Sequence, residues 1–492
     1  MKLKRRVEED LQSLAPTEMV ERLTRLYGEP WDLNDKGLVV RINPDWWAGL
    51  IHAEAHLLHD PEEERFYQWD ELEGIYLPES KFRVALNVSL RLLRASRELS
   101  RPELNEFRTL HSRDTVRTIL RSVSEVRDPF HHKKPILALN DGVVELVDGK
   151  VHFRKFDPRY LLCHKANVSY DRKATCPRFL KEFLKPMLLE EDVDLLQRYL
   201  GLVLIGMNLM NRMGILEGDS AAGKTTLVNI MVALLGEGRC CQLRTEHLDK
   251  QFELEAFRGR QLLLGVDVGA TFLNSVGAQT LKGLCSTDLY HPEAKGRSDR
   301  RPLRGPFHVL IATNCKLTYH SQGDGAAWAR RLLIFDCRTP EKRKKIPGFD
   351  VVLLKQEGPG IVNWLLDGLQ KALKEIETYG DLVMTDAQQD RINQLVMRSE
   401  AAEVFVQRCL VADQDEDVTS EELLEAFYSF CSARGWQPGS DRDFLGKIAN
   451  LIGDRFGRPK ARDLERGGKK TRMGWRGLKL VDDGWRPADG PF

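Results

Sequence analysis

The sequence predicts an α/β protein built around a phosphate-binding core, and three observations carry that expectation. The stretch "LEGDSAAGKTTL" (Leu216–Leu227) sets a glycine-bounded loop between an apolar run and a helix-period run. From Met213 to about Arg338, short apolar strands alternate with helices, the pattern of a sheet flanked by helices. Ahead of this core the text mixes strands with helices. After it, from about Ala401, the chain turns helical and ends basic and glycine-rich.

Length and composition bound the rest. The chain has 492 residues, which suggests two to four domains. It is 42% hydrophobic and 30% charged, enough apolar surface for real cores. A net charge of +1 does not announce a nucleic-acid partner, so any basic surface must be local. The N-terminus, "MKLKRRVEEDLQSL", lacks the apolar run of a signal peptide, and "YLGLVLIGMNLM" (Tyr199–Met210) is too short to span a membrane. The nine cysteines form no C-x-x-C pair and have no zinc-ligand spacing. These features fit a reduced cytoplasmic protein with no membrane partner and no structural metal.

Taken in order, residues 1 to about 30 read as a charged helical segment. "RFYQWDELEGIYLPES" (Arg65–Ser80) reads as two aromatic strands across an acidic turn. "KFRVALNVSLRLLRAS" and "RDTVRTILRSVSEV" carry apolar residues at helical spacing. The Asp-Gly pairs 141–142 and 148–149 lie between β-branched runs and predict hairpins. A mostly helical run from Pro177 leads to the glycine loop, and its Asp192 and Asp194 are expected on a solvated helix face. After the core, "GIVNWLLDGLQKALKEI" (Gly360–Ile376) predicts one amphipathic helix. "SEELLEAFYSFCSARG" and "DRDFLGKIANLIGD" predict two more.

The loop fits G-x-x-x-x-G-K-[ST], with Gly218, Asp219, Ser220, Ala221, Ala222, Gly223, Lys224, Thr225 and Thr226 around the phosphates. Glycines let the backbone turn and aim amide hydrogens at phosphate oxygens. Lys224 suits the β- and γ-oxygens of ATP, and the Thr225 hydroxyl suits Mg²⁺. A loop of this kind needs an acid at a neighbouring strand end, and Asp267 after "GRQLLLGV" supplies one for the metal. "PFHVLIATN" ends in Asn314, a polar group able to sense phosphate or hold water. Arg330 and Arg331 precede a further apolar strand, and arginine is the residue type that stabilises phosphoryl-transfer charge from a neighbouring subunit.

The order and spacing of these motifs resemble the superfamily 3 helicases. Among them the chain is similar to the helicase part of phage, plasmid and satellite primase–helicases, with a poxvirus-type segment ahead of it. The resemblance runs from about Arg65 to Leu480. It implies an AAA+-like core (212–345), an N-terminal α+β domain (1–140) and a pre-helicase segment with a helical collar (141–211). It also implies a post-core helical segment (346–400) and a C-terminal winged-helix domain (401–492). It further implies an ATP-driven homo-hexamer on single-stranded and forked DNA. Lys224, Asp267, Asn314, Arg330 and Arg331 would be catalytic, Thr225 and Asp267 would hold Mg²⁺, and Lys295 and Arg297 would grip the strand in the channel. In the basic tail, Lys469, Lys470 and Arg472 would contact duplex phosphates through the wing. Ala222 stands where relatives commonly carry Asn. Asp267 stands alone where they usually carry Glu or two acids, and Glu253 and Glu255 are the nearby alternatives. No primase domain is evident, so the expectation is a helicase without primase activity, or one paired with a primase or polymerase on another chain. Two functions are therefore expected: a replicative helicase of a mobile element, or an ATP-dependent origin-binding initiator that does not unwind processively.

Overall fold

The computed structural model describes residues 15–130, 135–206, 208–250, 252–270, 272–293, 302–317, 325–339, 346–399, 401–434, 436, 438, 441–466 and 469–482. Its contacts form two units. One comprises Met1–Cys176, Ile230–Cys240 and Val351–Leu366; the other comprises Pro177–Asn229, Cys241–Asp350 and Asp367–Phe492.

In the first unit, helix α1 (Pro16–Tyr27) precedes a ribbon of β1 (Trp31–Leu33) and β2 (Val39–Ile42). Helix α2 (Pro44–Ala55) starts at Asn43, whose side-chain oxygen accepts the Asp45 and Trp46 amides, an N-cap that satisfies orphan donors. Strands β3 (Leu57–Asp60), β4 (Arg65–Asp70) and β5 (Ile75–Glu79) form an antiparallel sheet, and β4 and β5 lie where the aromatic text predicts them. Helices α3 (Lys81–Glu98) and α4 (Leu110–Val123) begin at the hydroxyl caps Ser80 and Thr109. Their inward residues Val88, Leu92, Val116 and Leu120 pack with Trp47 in one core. Strands β6 (Ile136–Ala138), β7 (Val143–Val147) and β8 (Lys150–Arg154) form a meander. Its second turn puts Asp148 and Gly149 at φ 51° and 71°, the backbone that an Asp-Gly hairpin turn requires.

In the second unit, a π-turn at Phe179–Leu184 leads to helix α5 (Glu190–Ile205). The sheet that follows contains β9 (Met213–Gly218), β10 (Cys240–Gln242), β11 (Leu262–Val266), β14 (His308–Thr313) and β15 (Leu332–Cys337), in the order β10-β11-β14-β9-β15. The pairings β11·β14, β14·β9 and β9·β15 are parallel, so the strands point their C-terminal ends to one edge. Between β9 and β10 runs helix α6 (Lys224–Leu235), and between β11 and β14 runs α7 (Val276–Leu284). The short strands β12 (Leu289–Tyr290) and β13 (Leu303–Arg304) pair antiparallel. Helix α8 (Gly325–Ala329) precedes β15. Tyr199 of α5 is fully buried; its hydroxyl accepts the Gly214 amide at 3.0 Å and donates to Val309 O at 2.6 Å, joining β9 to β14.

Helix α9 (Phe349–Tyr379) is longer than its sequence suggests. The helix expected over Gly360–Ile376 starts upstream at Phe349 and carries Pro359 inside it. A Cβ on Gly360 would lie 2.2 Å from Thr175 O, so a glycine there serves close backbone approach rather than a break. Helix α10 (Asp386–Ser399) follows. Asp192 departs from the solvated face expected of it: it is 0% exposed and bound by Arg391 and Gln388. Asp194, two residues on, does reach solvent, beside Arg198 and Lys371.

The C-terminal part contains α11 (Ala401–Cys409), β16 (Leu410–Thr419), α12 (Ser420–Ala433), α13 (Asp441–Phe456), β17 (Ala461–Arg466) and β18 (Lys469–Leu480). The strands form an antiparallel sheet in the order β16-β18-β17. Thr419 and Glu422 cap α12 reciprocally. Phe405, Phe427, Phe430, Phe444 and Trp475 fill the core beneath.

Candidate functional site

The glycine loop grows out of a buried inner strand of the sheet, β9. Met213, Ile215 and Leu216 are at most 1% exposed, and Gly218 closes the strand opposite Cys337. Gly218 has φ 153°, and a Cβ there would sit 2.0 Å from Cys337 O, so no larger residue fits between loop and β15. The chain then turns through Ala221 at φ 67° and Gly223 at φ 101°, left-handed values that bring it back to the start of α6. Asp219, Ser220 and Ala221 are exposed, while Ala222 packs inward. Lys224 is only 6% exposed, and its Nζ donates to Gly218 O at 2.6 Å and to Asp219 O at 2.7 Å. The lysine thus closes the ring of the loop and holds its charge inside it. Thr225 on the first turn is exposed, and Thr226 is half-buried. Thr339, beyond β15, donates to Ser220 O at 3.4 Å. Burial pushes the Cys337 thiol up to about 12, with Lys224 acting the other way, so it stays neutral beside the lysine.

Two loops meet this one at the same sheet edge. Asp267 follows β11 at φ 55°, and Asn314 follows β14; Asn314 Nδ2 donates to Asp267 Oδ1 at 3.2 Å. Thr313, fully buried, ties them: its hydroxyl donates to Val268 O at 2.8 Å and accepts the Cys315 amide at 3.2 Å. Because β14 separates β11 from β9, Asp267 stands two strand spacings from Gly218, about 10 Å at the usual sheet spacing. An αL aspartate held this way is a sparsely populated conformation, of the kind found at working sites.

The structure brings Gly218–Thr226, Asp267 and Asn314 to one edge and sets Arg330 and Arg331 at the other. Both arginines lie just before β15, whose Leu332 pairs with Met213 at the start of β9. Arg330 is exposed with Nε toward Ala326 O at 3.3 Å; Arg331 is half-buried, and its Nη1 donates to Ala327 O at 3.0 Å. Glu253 and Glu255 are committed to ion pairs with Arg244 and Arg258. Lys295 and Arg297 lie outside the described residues, in the segment between β12 and β13. Lys469, Lys470 and Arg472 lie on β18, where only the backbone is described; Arg472 pairs with Leu464 and Lys470 with Glu465.

Three neighbours of the loop escape a motif reading: Glu217, Thr313 and Thr339. Only Glu217 carries a signal, an acid inside an otherwise apolar buried strand. The residues also fit the phosphates and metal that the loop's sequence suggests. The cradle admits no side chain at Gly218, α6 starts at the loop with its amides facing it, and two oxygen-bearing groups, Thr225 and Asp267, are exposed at the same edge. Among the described residues no group of three or more His, Cys, Asp or Glu could by itself hold a metal ion. No described helix is long and apolar enough to cross a membrane.

Residues 45–188 match the family described as D5 N terminal like. No curated protein sequence matches the chain. Among solved structures, the A form apo structure of the NrS-1 C terminal region is similar over 88% of this chain and 99% of that one, with 11% identity and a TM-score of 0.47. A second A form apo structure of that region, spanning its residues 305–718, covers 88% and 100%, with 12% identity and a TM-score of 0.48.

Proposed function

We propose that the chain is an ATP-dependent replicative DNA helicase of a phage, plasmid or integrated element, working in the cytoplasm as a homo-hexameric ring that translocates on single-stranded DNA. One observation carries the reading: Lys224, Asp267 and Asn314 converge at the C-terminal ends of adjacent parallel strands, the edge where open α/β sheets bind ligands. The loop amides and Lys224 would bind the phosphates of ATP, and Thr225 and Asp267 would hold Mg²⁺. Bound there, Mg²⁺–ATP supplies an activated phosphoanhydride whose cleavage drives movement. Asn314 orients Asp267 and faces the same space, suited to holding the attacking water. Arg330, exposed at the far edge, would serve the neighbouring subunit's site instead of its own. The D5 N terminal like match supports a replication context. The helix–strand arrangement after Ala401, with its basic hairpin, suits a winged-helix domain on forked or duplex DNA. A separate primase or polymerase would complete the replication machinery.

A second reading has its own observation. Asp267 is followed by Val268 and Gly269, and Glu253 and Glu255 are held by arginines, so the end of β11 offers one acid where relatives usually carry Glu or two acids. That favours an ATP-bound initiator on origin DNA. One experiment separates them: ATP turnover with and without single-stranded DNA, beside strand displacement on a forked duplex, for the wild type and Lys224→Ala. The helicase reading expects DNA-stimulated turnover and unwinding, both lost in Lys224→Ala. Nucleotide binding and duplex binding without strand displacement would establish the initiator reading. Unwinding that survives Lys224→Ala would overturn the role of the loop.

A further inference from the structure

Glu217 is an acid where the sheet has little room for one. It lies on β9 directly before Gly218, flanked by Thr313 of β14 and Asp336 of β15, and is 8% exposed. Its Oε1 accepts the Leu317 amide at 2.8 Å, a bond inside the protein between residues 100 positions apart. Leu317 is 1% exposed and belongs to the central core, so the segment after Asn314 returns inward at the point where Glu217 receives it. The short loop from Asn314 to Leu317 is therefore pinned at both ends: by Thr313, which also holds Val268 beside Asp267, and by Glu217. We propose that Glu217 is a positioning residue that fixes the 314–317 loop, and through it Asn314 and Asp267, to the strand that ends in the glycine loop.

A carboxylate is chosen over an apolar residue because a buried amide without an acceptor is costly, and the loop would otherwise swing to find one. The bond ties the segment that follows Asn314 to the strand that ends at Gly218. The inference deepens the nucleotide-site reading, on which its consequence for turnover rests; the bond itself stands apart from it.

The test uses the full chain and hydrogen exchange at Leu317 without nucleotide. Glu217→Leu is expected to speed exchange of that amide by about 10-fold or more, and Glu217→Gln, which keeps a carbonyl acceptor, to hold it within about 3-fold of wild type. With ATP, Glu217→Leu is expected to lower kcat about 10-fold while the affinity for a non-hydrolysable ATP analogue moves less than about 3-fold, with partial recovery in Glu217→Gln. If Glu217→Leu does not fold, Glu217→Asp, which withdraws the acceptor by one methylene, carries the same expectation. Unchanged Leu317 exchange in the variant lacking the acceptor overturns the proposal. So does loss of turnover in Glu217→Gln with exchange still protected, since that would make the carboxylate a chemical participant. Absence of ATP turnover in the wild type would instead count against the nucleotide-site reading, and the exchange arm would still decide Glu217.

Discussion

Arg391 meets Asp192 through two hydrogen bonds, Nη1 to Oδ2 at 2.6 Å and Nη2 to Oδ1 at 2.5 Å, between residues 199 positions apart. Asp192 is 0% exposed, and Gln388 Nε2 adds a third bond to Oδ1 at 3.0 Å. The pair clamps α10 to the start of α5 within the second unit. Removing one partner leaves the other charge buried and unpaired, which costs far more than the net worth of the pair. Asp192→Ala is expected to lower the stability of this unit by about 3–5 kcal/mol, read as an earlier transition in calorimetry. Asp192→Leu combined with Arg391→Met should recover part of that loss, since neither charge is then stranded. Equal losses in the single and double variants would show that the clamp matters through packing alone.

The pair also shows where sequence reading stops. A helix rich in acids reads as solvated, and nothing local reveals that Asp192 faces an arginine 199 positions further on. The strands β9, β11, β14 and β15 were legible because fully buried parallel strands are continuous apolar runs bounded by turns. The β7–β8 hairpin was legible because Asp148-Gly149 has few other conformations to adopt. The start of α9 was not, because Pro359 and its flanking glycines signal a break. The first residues of the helix are instead retained by burial of Leu353, Ile361 and Val362. In the site, the glycine loop, Asp267 and Asn314 could be named from spacing. Their mutual bond, the tie through Thr313 and the opposite placement of Arg330 depend on strand order, which spacing does not contain.

Gly218 makes the loop's demand for glycine testable apart from any ligand. Its φ of 153° and the 2.0 Å approach of a Cβ to Cys337 O are set by backbone on both sides, so no side-chain rotation relieves them. Gly218→Ala should destabilise the second unit by about 2 kcal/mol and displace the loop from Lys224. Binding of an ATP analogue, followed by fluorescence, should weaken at least about 10-fold. Gly269→Ala is the control: it lies one loop away with no atom within 4 Å of its Cβ position, and its stability should change little.

Arg330 and Arg331 should divide their roles by exposure. From Leu332 to Cys337 the strand runs away from them toward the loop, so they stand about 15–20 Å from Gly218 of their own chain. Arg331 is half-buried and bonded to Ala327 O, so Arg331→Ala should lower stability by about 1 kcal/mol. Arg330 is exposed, and Arg330→Ala should leave the melting temperature in place. If Arg330 serves the next subunit, its loss should reduce ATP turnover by about 10³-fold. Mixing Arg330→Ala with Lys224→Ala subunits should restore activity at about one quarter of interfaces, those pairing an intact Lys224 with an intact Arg330. No recovery in rings shown to be mixed would exclude a trans role.

His52 gives the first unit a pH dependence of definite sign. It sits on α2 at 6% exposure, with Nδ1 3.0 Å from Leu57 O, which fixes the neutral ring with the proton on Nδ1. Burial pulls its pKa down from 6.5 to about 4; the Leu57 bond opposes the shift and nearby His56 adds to it. A base whose folded pKa is depressed binds fewer protons in the native state than in the unfolded chain. Its contribution is therefore complete above pH 6.5 and is lost as pH falls from 6.5 through 4. The loss approaches about 3 kcal/mol at the acid end. His52→Gln keeps a donor for Leu57 O without a titrating ring. Urea unfolding of the wild type between pH 7 and 4.5 should show stability falling with pH, and the variant should show a flatter profile over the same window. Parallel profiles would mean that His52 titrates alike in the folded and unfolded chains.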